Sequence, residues 1–569
     1  MSSRACNVAL GCLVAVLFAF CVARSRHELR WSAIAYADAE NIIAATHFVK
    51  EGFKAHYFLN YHTPGYLGKA RRNVSSLGYD SQYPPFGEIL NATIIRYFGE
   101  DLFVLRVTGI IFSCLALLLF YGVLARFFDR QASLFGTAFI ALSVSFLDHA
   151  DAVCLENFSE TFRFGAMFLF LLAEDRLKAG RKAAAVLLFS GVWAVTFLEA
   201  MNSNHYVVFI QLFFLLYYFF RRRAQKFPWR RVLFLASAAV TAGALRVAQN
   251  VMALGGWEAL RQLTVDSPLS GEKTAPLNKG ILNFFSFWTY FARMLEDDMV
   301  RSHFGFGFAL VFLAAGAVLL YPDPMREAAT LPSKDRGLSY KQAMLLLLIP
   351  SLSWWAMFPN HAASFFWMPK HLWPVMAAVF GLALSMSVNA LRGKEAGRAL
   401  KWASALVIAG CLWTHAIFAG KYLKEYPNLI SPQTRTQMSG WGELGTQDIA
   451  ELVEVFKAVR QKTAYGDIVL VGDLSFQNAD SFFAFYAMRR LDFAGSLAEF
   501  EAQLKDLQEY RRTGAERYKI FGPLKLYALA RKDSGSELWK ALRSRYPESR
   551  DLPHSWVLFS LDPPPKTRR

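Results

Sequence analysis

Residues 102–124 read LFVLRVTGIIFSCLALLLFYGVL, with Arg106 the one charged side chain in the run. Bilayer hydrocarbon about 30 Å thick is crossed by roughly 20 apolar residues in a helix, so this stretch reads as a membrane span. Working outward, similar runs bounded by charges or by Pro and Gly predict spans near 5–23, 131–147, 160–173, 183–200, 203–220, 231–248, 303–320, 342–358, 371–390 and 402–419. That makes about eleven. Residues 282–291 (LNFFSFWTYF) are too short to span and read as interfacial or re-entrant.

Composition agrees. Charged residues are 19% of the 569, below the ~25% of soluble domains, while 54% are hydrophobic and 15% aromatic. No low-complexity stretch and no repeat of 20 to 50 residues is visible, which excludes disorder, solenoids and fibres. The chain is therefore read as an α-helical polytopic membrane protein.

The 62 Lys+Arg against 45 Asp+Glu leave a net charge of +17, and the placement of that charge gives topology. Basic short loops hold Arg126/Arg130, Arg176/Lys178/Arg181/Lys182, Arg221 to Arg231, Arg326 to Lys341 and Arg392 to Lys401, whereas the alternate loops 148–160, 199–204 and 359–370 carry almost none. Positive charge is retained on the cytoplasmic side, so the N-terminus is expected there and the chain beyond Gly420 on the exoplasmic side. The first loop, 24–101, is basic yet exoplasmic, which its length permits. Residues 22–25 (VARS) lack a small-x-small cleavage pattern, so span one reads as an uncleaved anchor rather than a signal peptide. The cluster at Arg221–Arg231 reads as a topology anchor touching anionic membrane lipids, not a nucleic-acid site.

Two domains are expected: 1–421 in the membrane with the large loop 24–101, and 422–569 as a soluble exoplasmic α/β domain. In the latter, 466–472 (GDIVLVG) and 556–561 (WVLFSL) read as strands, 496–512 and 536–546 as helices. The first strand lacks the Gly-rich turn of a nucleotide fold. All six Cys lie in or near spans, leaving no disulfide framework and no Cys-based zinc site. His361/His371 and His56/His62 are ten and six apart, spacings that do not put two ligands on one helix face. No metal site is assigned, and no cofactor is called for, although the sequence leaves a divalent metal open.

Ionisable groups near hydrocarbon are costly and tend to be functional. On the exoplasmic side stand Asp38 and Glu40, then Asp148, Asp151, Glu156 and Glu160, then Glu199, and Glu296 to Asp298. After Asp38 and Glu40, residues 42–50 (IIAATHFVK) suit a helix along the membrane surface. Gln82-Tyr83-Pro84-Pro85-Phe86-Gly87-Glu88-Ile89-Leu90 then stops one element and starts a helix.

The order of one span, an acidic motif, a surface helix, an aromatic-Pro-Pro motif, RYFGE at 96–100 and FVLRV at 103–107 resembles the polyprenyl-phosphate-sugar-dependent glycosyltransferases of the C-type fold. Closest in pattern are the protein O-mannosyltransferases and the lipid A aminoarabinose transferases. The likeness is good over about the first 220 residues and looser beyond, and it includes an exoplasmic C-terminal domain. It implies inverting transfer of a sugar from a polyprenyl-phosphate donor to an exoplasmic lipid, polysaccharide or protein. Asp38, with Glu40, matches the family's first-loop Asp-Glu pair, here separated by Ala39, and Asp38 takes the role of base. Tyr83-Pro84-Pro85 stands where the family has His- or Lys-Pro-Pro, so a cation for the donor phosphate falls to Lys69, Arg71 or Arg72. Glu156 matches the second acidic position, and Lys370 with His371 the basic site ahead of the tenth span. The compact chain and Cys-free domain resemble bacterial members, implying an inner membrane with a periplasmic C-terminal domain.

Two readings of other classes stay open. Polar residues facing a bundle also suit a flippase for lipid-linked saccharides, although transporters tend to show paired halves and none is visible here. The departures at Ala39 and Tyr83 also allow a catalytically silent envelope scaffold.

Overall fold

The computed structural model describes residues 2–26, 33–61, 79–80, 84–153, 156–203, 205–222, 226–254, 256–257, 338, 340–357, 368–392, 402, 405, 409, 446–473, 480–513, 524–532 and 536–562. The chain divides into two compact units. One comprises residues 1–28, 102–251 and 256–428; the other comprises 29–101, 252–255 and 429–569.

The first unit is helical: α1 (Ser3–Arg24), α4 (Leu102–Leu124), α5 (Arg130–Ala141), α6 (Val144–His149), α7 (Glu156–Lys178), α8 (Lys182–Ala200), α9 (His205–Arg221), α10 (Trp229–Leu254), α11 (Tyr340–Met357) and α12 (Trp373–Arg392). Among the described residues five helices are long and apolar enough to cross a membrane: Ser3–Arg24, Leu102–Leu124, Lys182–Ala200, Trp229–Ala253 and Lys370–Asn389. Tyr206–Arg221 and Lys341–Ser353 are shorter apolar helices. The chain is an integral membrane protein. The expected span 303–320, the segment 282–291 and most of 402–419 lie outside the described residues.

Two expected spans differ in form. The run at 131–147 is broken into α5 and α6, because Ser143 leaves the helix and caps the next one, its Oγ accepting from Phe146 N–H at 3.1 Å. The run at 160–173 extends in both directions to Glu156–Lys178. Glu160 and Arg163 within the expected span, and Glu174 just past its end, are buried inside the bundle and paired there. Phe127, Phe170, Phe213, Phe214, Tyr217 and Tyr218 fill the core between α7 and α9. Where α5 meets α12, Ala132, Gly136, Ala377 and Gly381 let the two backbones touch, the small-residue packing favoured between membrane helices.

The second unit joins the first loop to the C-terminal region. From the loop come α2 (Ala33–Glu51), a 3-10 turn at Phe53–His56, the antiparallel pair β1 (Asn60–Tyr61) and β2 (Tyr79–Asp80), and α3 (Phe86–Phe98). From the C-terminal region come α13 (Thr446–Lys462), β3 (Ile468–Val471), α14 (Asp480–Ala487), β4 (Arg490–Phe493), α15 (Leu497–Thr513), β5 (Leu526–Arg531), α16 (Glu537–Arg545), β6 (Ser549–Asp551) and β7 (Trp556–Ser560). The five strands order β4-β3-β5-β7-β6, with β3 parallel to β4 and β5, and β7 antiparallel to β5 and β6. The strands expected at 466–472 and 556–561 are β3 and β7; the expected helices are α15 and α16, the latter capped by Ser536. Apolar β3 is buried on both faces, with Phe500 and Leu504 of α15 and Leu538 and Leu542 of α16 in the core it shares. Helix α2 packs against α3 and α14.

Candidate functional site

The candidate residues fall in both units, and each group is built by its own elements. In the second unit Asp38 and Glu40 lie near the start of α2, whose sequence AIAYADAENIIAATHFVKE alternates Ala with larger residues and has high helix propensity. Asp38 is 3% exposed and Glu40 is partly exposed. Pro84 and Pro85 are buried, and Pro85 is the residue before α3, where a missing N–H costs nothing. Glu88 follows in the first turn, 1% exposed, where the helix dipole favours negative charge. Asn91 on the same helix is fully buried.

The far end of α2 is tied into the C-terminal region. His47 Nδ1 lies 2.8 Å from Glu51 Oε1 and 2.6 Å from the Tyr465 hydroxyl. That hydroxyl also donates to Glu51 Oε1 at 3.1 Å. Glu100 accepts from Arg460 at 2.5 Å and pairs with Lys50 at 3.4 Å. Lys69, Arg71, Arg72 and Tyr83 lie outside the described residues.

In the first unit Glu156 is the first residue of α7, and Lys370 and His371 sit in a 3-10 turn, Met368–Leu372, before α12. Lys370 and His371 are each 1% exposed. Around them is a polar centre absent from the sequence reading. Arg163 pairs with the Glu160 carboxylate and donates to the Lys370 carbonyl at 3.3 Å. Its guanidinium lies 4.0 Å over the Tyr206 ring and 4.4 Å over Phe164. Tyr206 in turn donates to Glu160 at 2.6 Å and meets the His371 ring at a tilt, the ring centres 4.5 Å apart. Lys370 itself has its ammonium 5.6 Å from the centre of the Trp373 ring. A small cavity of about 20 Å³, room for one water molecule, is lined by His149, Asn157, Glu160 and Lys370 together with aromatic side chains.

Asp151, from the same acidic cluster, is already committed: Arg24 at the end of α1 pairs with it and also donates to the Leu147 carbonyl. Arg106, the one charge in the span 102–124, donates to the Ser25 carbonyl at 3.2 Å. The signal for Arg163 is present in the sequence as an i, i+3 Glu-Arg pair inside the expected span 160–173, but the Tyr206 ring and the Lys370 carbonyl that complete the centre come from distant elements. Among the described residues no group of three or more His, Cys, Asp or Glu is placed to hold a metal ion.

A helical membrane bundle with a mixed five-stranded sheet after it is the architecture of the C-type glycosyltransferases, and that is the fold of this chain. The oligosaccharyltransferase of Archaeoglobus fulgidus in the apo form superposes with a TM-score of 0.52 at 13% identity, over 93% of this chain and 70% of that one. The archaeal oligosaccharyltransferase AglB from the same organism, in complex with an inhibitory peptide and a dolichol-phosphate, gives 0.51 at 12% identity, over 92% and 69%. ArnT from Cupriavidus metallidurans in the apo state matches over 98% of both chains at 12% identity, with a TM-score of 0.49. At such identities the likeness to the oligosaccharyltransferases is one of fold. No protein-family model and no curated protein matches the sequence.

Proposed function

We propose that the chain is an integral membrane glycosyltransferase that moves a sugar from a polyprenyl-phosphate donor to an exoplasmic lipid, polysaccharide or protein, with inversion at the anomeric carbon. The observation that carries this is the C-type fold shared with an oligosaccharyltransferase solved with a dolichol-phosphate, together with a buried carboxylate, Asp38, on the first-loop helix. In the reaction the acceptor oxygen attacks the anomeric carbon as its proton passes to Asp38. The bond from that carbon to the phosphate oxygen breaks, and polyprenyl phosphate departs as the leaving group. Glu40 and Glu156 are the further acidic candidates. Cations at the membrane face stabilise the charge that develops on the phosphate; Lys370 with His371 is assigned this role, with Lys69, Arg71 and Arg72 as the loop's own donors and Tyr83-Pro84-Pro85 shaping the approach. No nucleotide site is needed, because the lipid phosphate is itself the activating group.

The distribution of Lys and Arg supports a cytoplasmic N-terminus and an exoplasmic C-terminal region, and the Cys-free C-terminal region and compact chain support a bacterial inner membrane. The test is transfer by the purified full chain in nanodiscs, with a panel of labelled polyprenyl-phosphate hexoses and pentoses. Release of polyprenyl phosphate that falls by 10²-fold or more in folded Asp38→Asn is expected, within the range of general-base contributions. No turnover of any donor, with binding or transbilayer movement of lipid-linked saccharide intact, would favour the transporter or scaffold reading instead.

A further inference from the structure

We propose that Tyr465 is a positioning residue for the transfer reaction: its hydroxyl clamps the C-terminal turn of α2 and so fixes the direction and rotation of the helix that carries Asp38. The inference rests on the reading of Asp38 as the base.

The clamp brings three groups together. His47 and Glu51 are one turn apart on α2, with side chains each 1% exposed. The Tyr465 hydroxyl reaches both, at 2.6 and 3.1 Å, while its ring meets the imidazole edge-on at a centre distance of 6.0 Å. Buried polar networks of this kind tolerate little displacement, since every lost partner is a desolvated group left behind. The parallel link through Lys50, Glu100 and Arg460 is part-exposed and contributes little to direction.

Tyr465 is itself held rigidly. It sits in the turn that leads into β3, where the Asp467 carboxylate accepts from Ala464 N–H at 2.7 Å and from Lys525 N–H at 3.2 Å. Just before the turn, Arg489 donates to Thr463 Oγ1 at 2.7 Å and to the Arg460 carbonyl at 3.1 Å. The sheet thus presents one hydroxyl at a fixed point.

Helix geometry shows what that point controls. At 100° per residue, Glu40 shares the face of His47 and Glu51, whereas Asp38, nine residues before His47, faces the opposite way. Nine residues span about 14 Å, so a tilt of about 10° at the clamp moves Asp38 by about 2 Å. A base displaced by even ~1 Å from its proton can lose about 10²-fold in rate. The clamp grips one face and leaves the other to the chemistry.

The experiment compares wild type, Tyr465→Phe, Glu51→Gln and Asp38→Asn as full chains in nanodiscs, using whichever labelled polyprenyl-phosphate sugar of the panel wild type turns over. Hydrogen exchange of peptides from 33–51 is followed in parallel. Tyr465→Phe keeps the ring and removes one oxygen. Its expected result is kcat lowered about tenfold with KM for the donor within twofold, faster exchange in 33–51, and the same pattern in Glu51→Gln from the other side of the clamp. Wild-type kcat in both clamp variants while Asp38→Asn is inactive would overturn the inference and leave the base assignment standing. Turnover retained in Asp38→Asn overturns the base assignment and the inference with it.

Discussion

Gly381 of α12 lies directly against the carbonyl of Ala132 on α5, so close that a Cβ at 381 would collide with that oxygen and come within 2.8 Å of Gly136 N. Backbone meets backbone here, and neither partner can retreat as a side chain would. Gly381→Val is therefore expected to destabilise the bundle by about 2–3 kcal/mol, the cost typical of overpacking. Gly243 has open space around it, so Gly243→Ala is expected to be neutral or stabilising by up to about 1 kcal/mol from helix propensity. Thermal unfolding of both variants in one detergent checks the contrast, and equal melting temperatures would refute it.

Arg163 and Glu160 are a buried pair, with Tyr206 on the second carboxylate oxygen and the Lys370 carbonyl on the guanidinium. Replacing one alone, in Arg163→Met or Glu160→Met, leaves the other buried and is expected to cost about 3–5 kcal/mol for the Arg change. The double variant Arg163→Met/Glu160→Met should recover much of that loss. A double-mutant cycle on melting gives the coupling directly; strict additivity would mean the pair is not coupled.

Lys370 presents its carbonyl to Arg163 and its ammonium to the Trp373 ring beside the small cavity. As the proposed phosphate contact, Lys370→Met should reduce kcat more than it raises donor KM, by about 10²-fold in kcat, because charge on the phosphate grows toward the transition state. Steady-state kinetics separate the two parameters; an effect confined to KM would assign Lys370 to binding alone.

Burial raises the Asp467 carboxyl above its ordinary value, with the N–H groups of Ala464 and Lys525 opposing the shift in part. A carboxyl raised in the folded state holds its proton at pH values where the unfolded chain has lost it. Its contribution to stability is then largest below the unfolded value near 4 and declines as pH rises through the folded value. Melting followed by the fluorescence of the Trp-containing C-terminal region should show this decline, and Asp467→Asn should flatten it. An unchanged slope in Asp467→Asn would assign the pH dependence to other groups.

A reporter fused after Arg569 should be exoplasmic and one fused before Ser2 cytoplasmic. Cytoplasmic activity of the C-terminal fusion would end the glycosyltransferase reading, because donor phosphate, Asp38 and acceptor must share one face.

How much was legible in the chain depends on which physical signal each element carries. Runs such as 102–124 announce themselves by length and apolarity, and β3 and β7 by short β-branched or aromatic runs, so the membrane bundle and the α/β region could be read directly. The order of acidic, Pro-Pro and apolar segments also pointed to the C-type fold. The C-terminal end of helix α7 is harder to read, because Glu174 looks like a surface charge until its partners Arg221 and Arg231 are known. Helices α13 and α14 and strands β4 to β6 gave weaker local signals and are held by the sheet they complete.

The sequence by itself determined that the chain enters a membrane many times, where its charges lie along it, and which carboxylates stand in the first loop, since these depend on local composition alone. Only the tertiary structure decided that Asp151 is committed to Arg24, that Arg163 is locked between Glu160 and the Lys370 carbonyl, and that Tyr465 closes on His47 and Glu51. Those partners are separated by as many as 418 residues, and pairing across such distances is set by packing of whole elements, which no local pattern encodes.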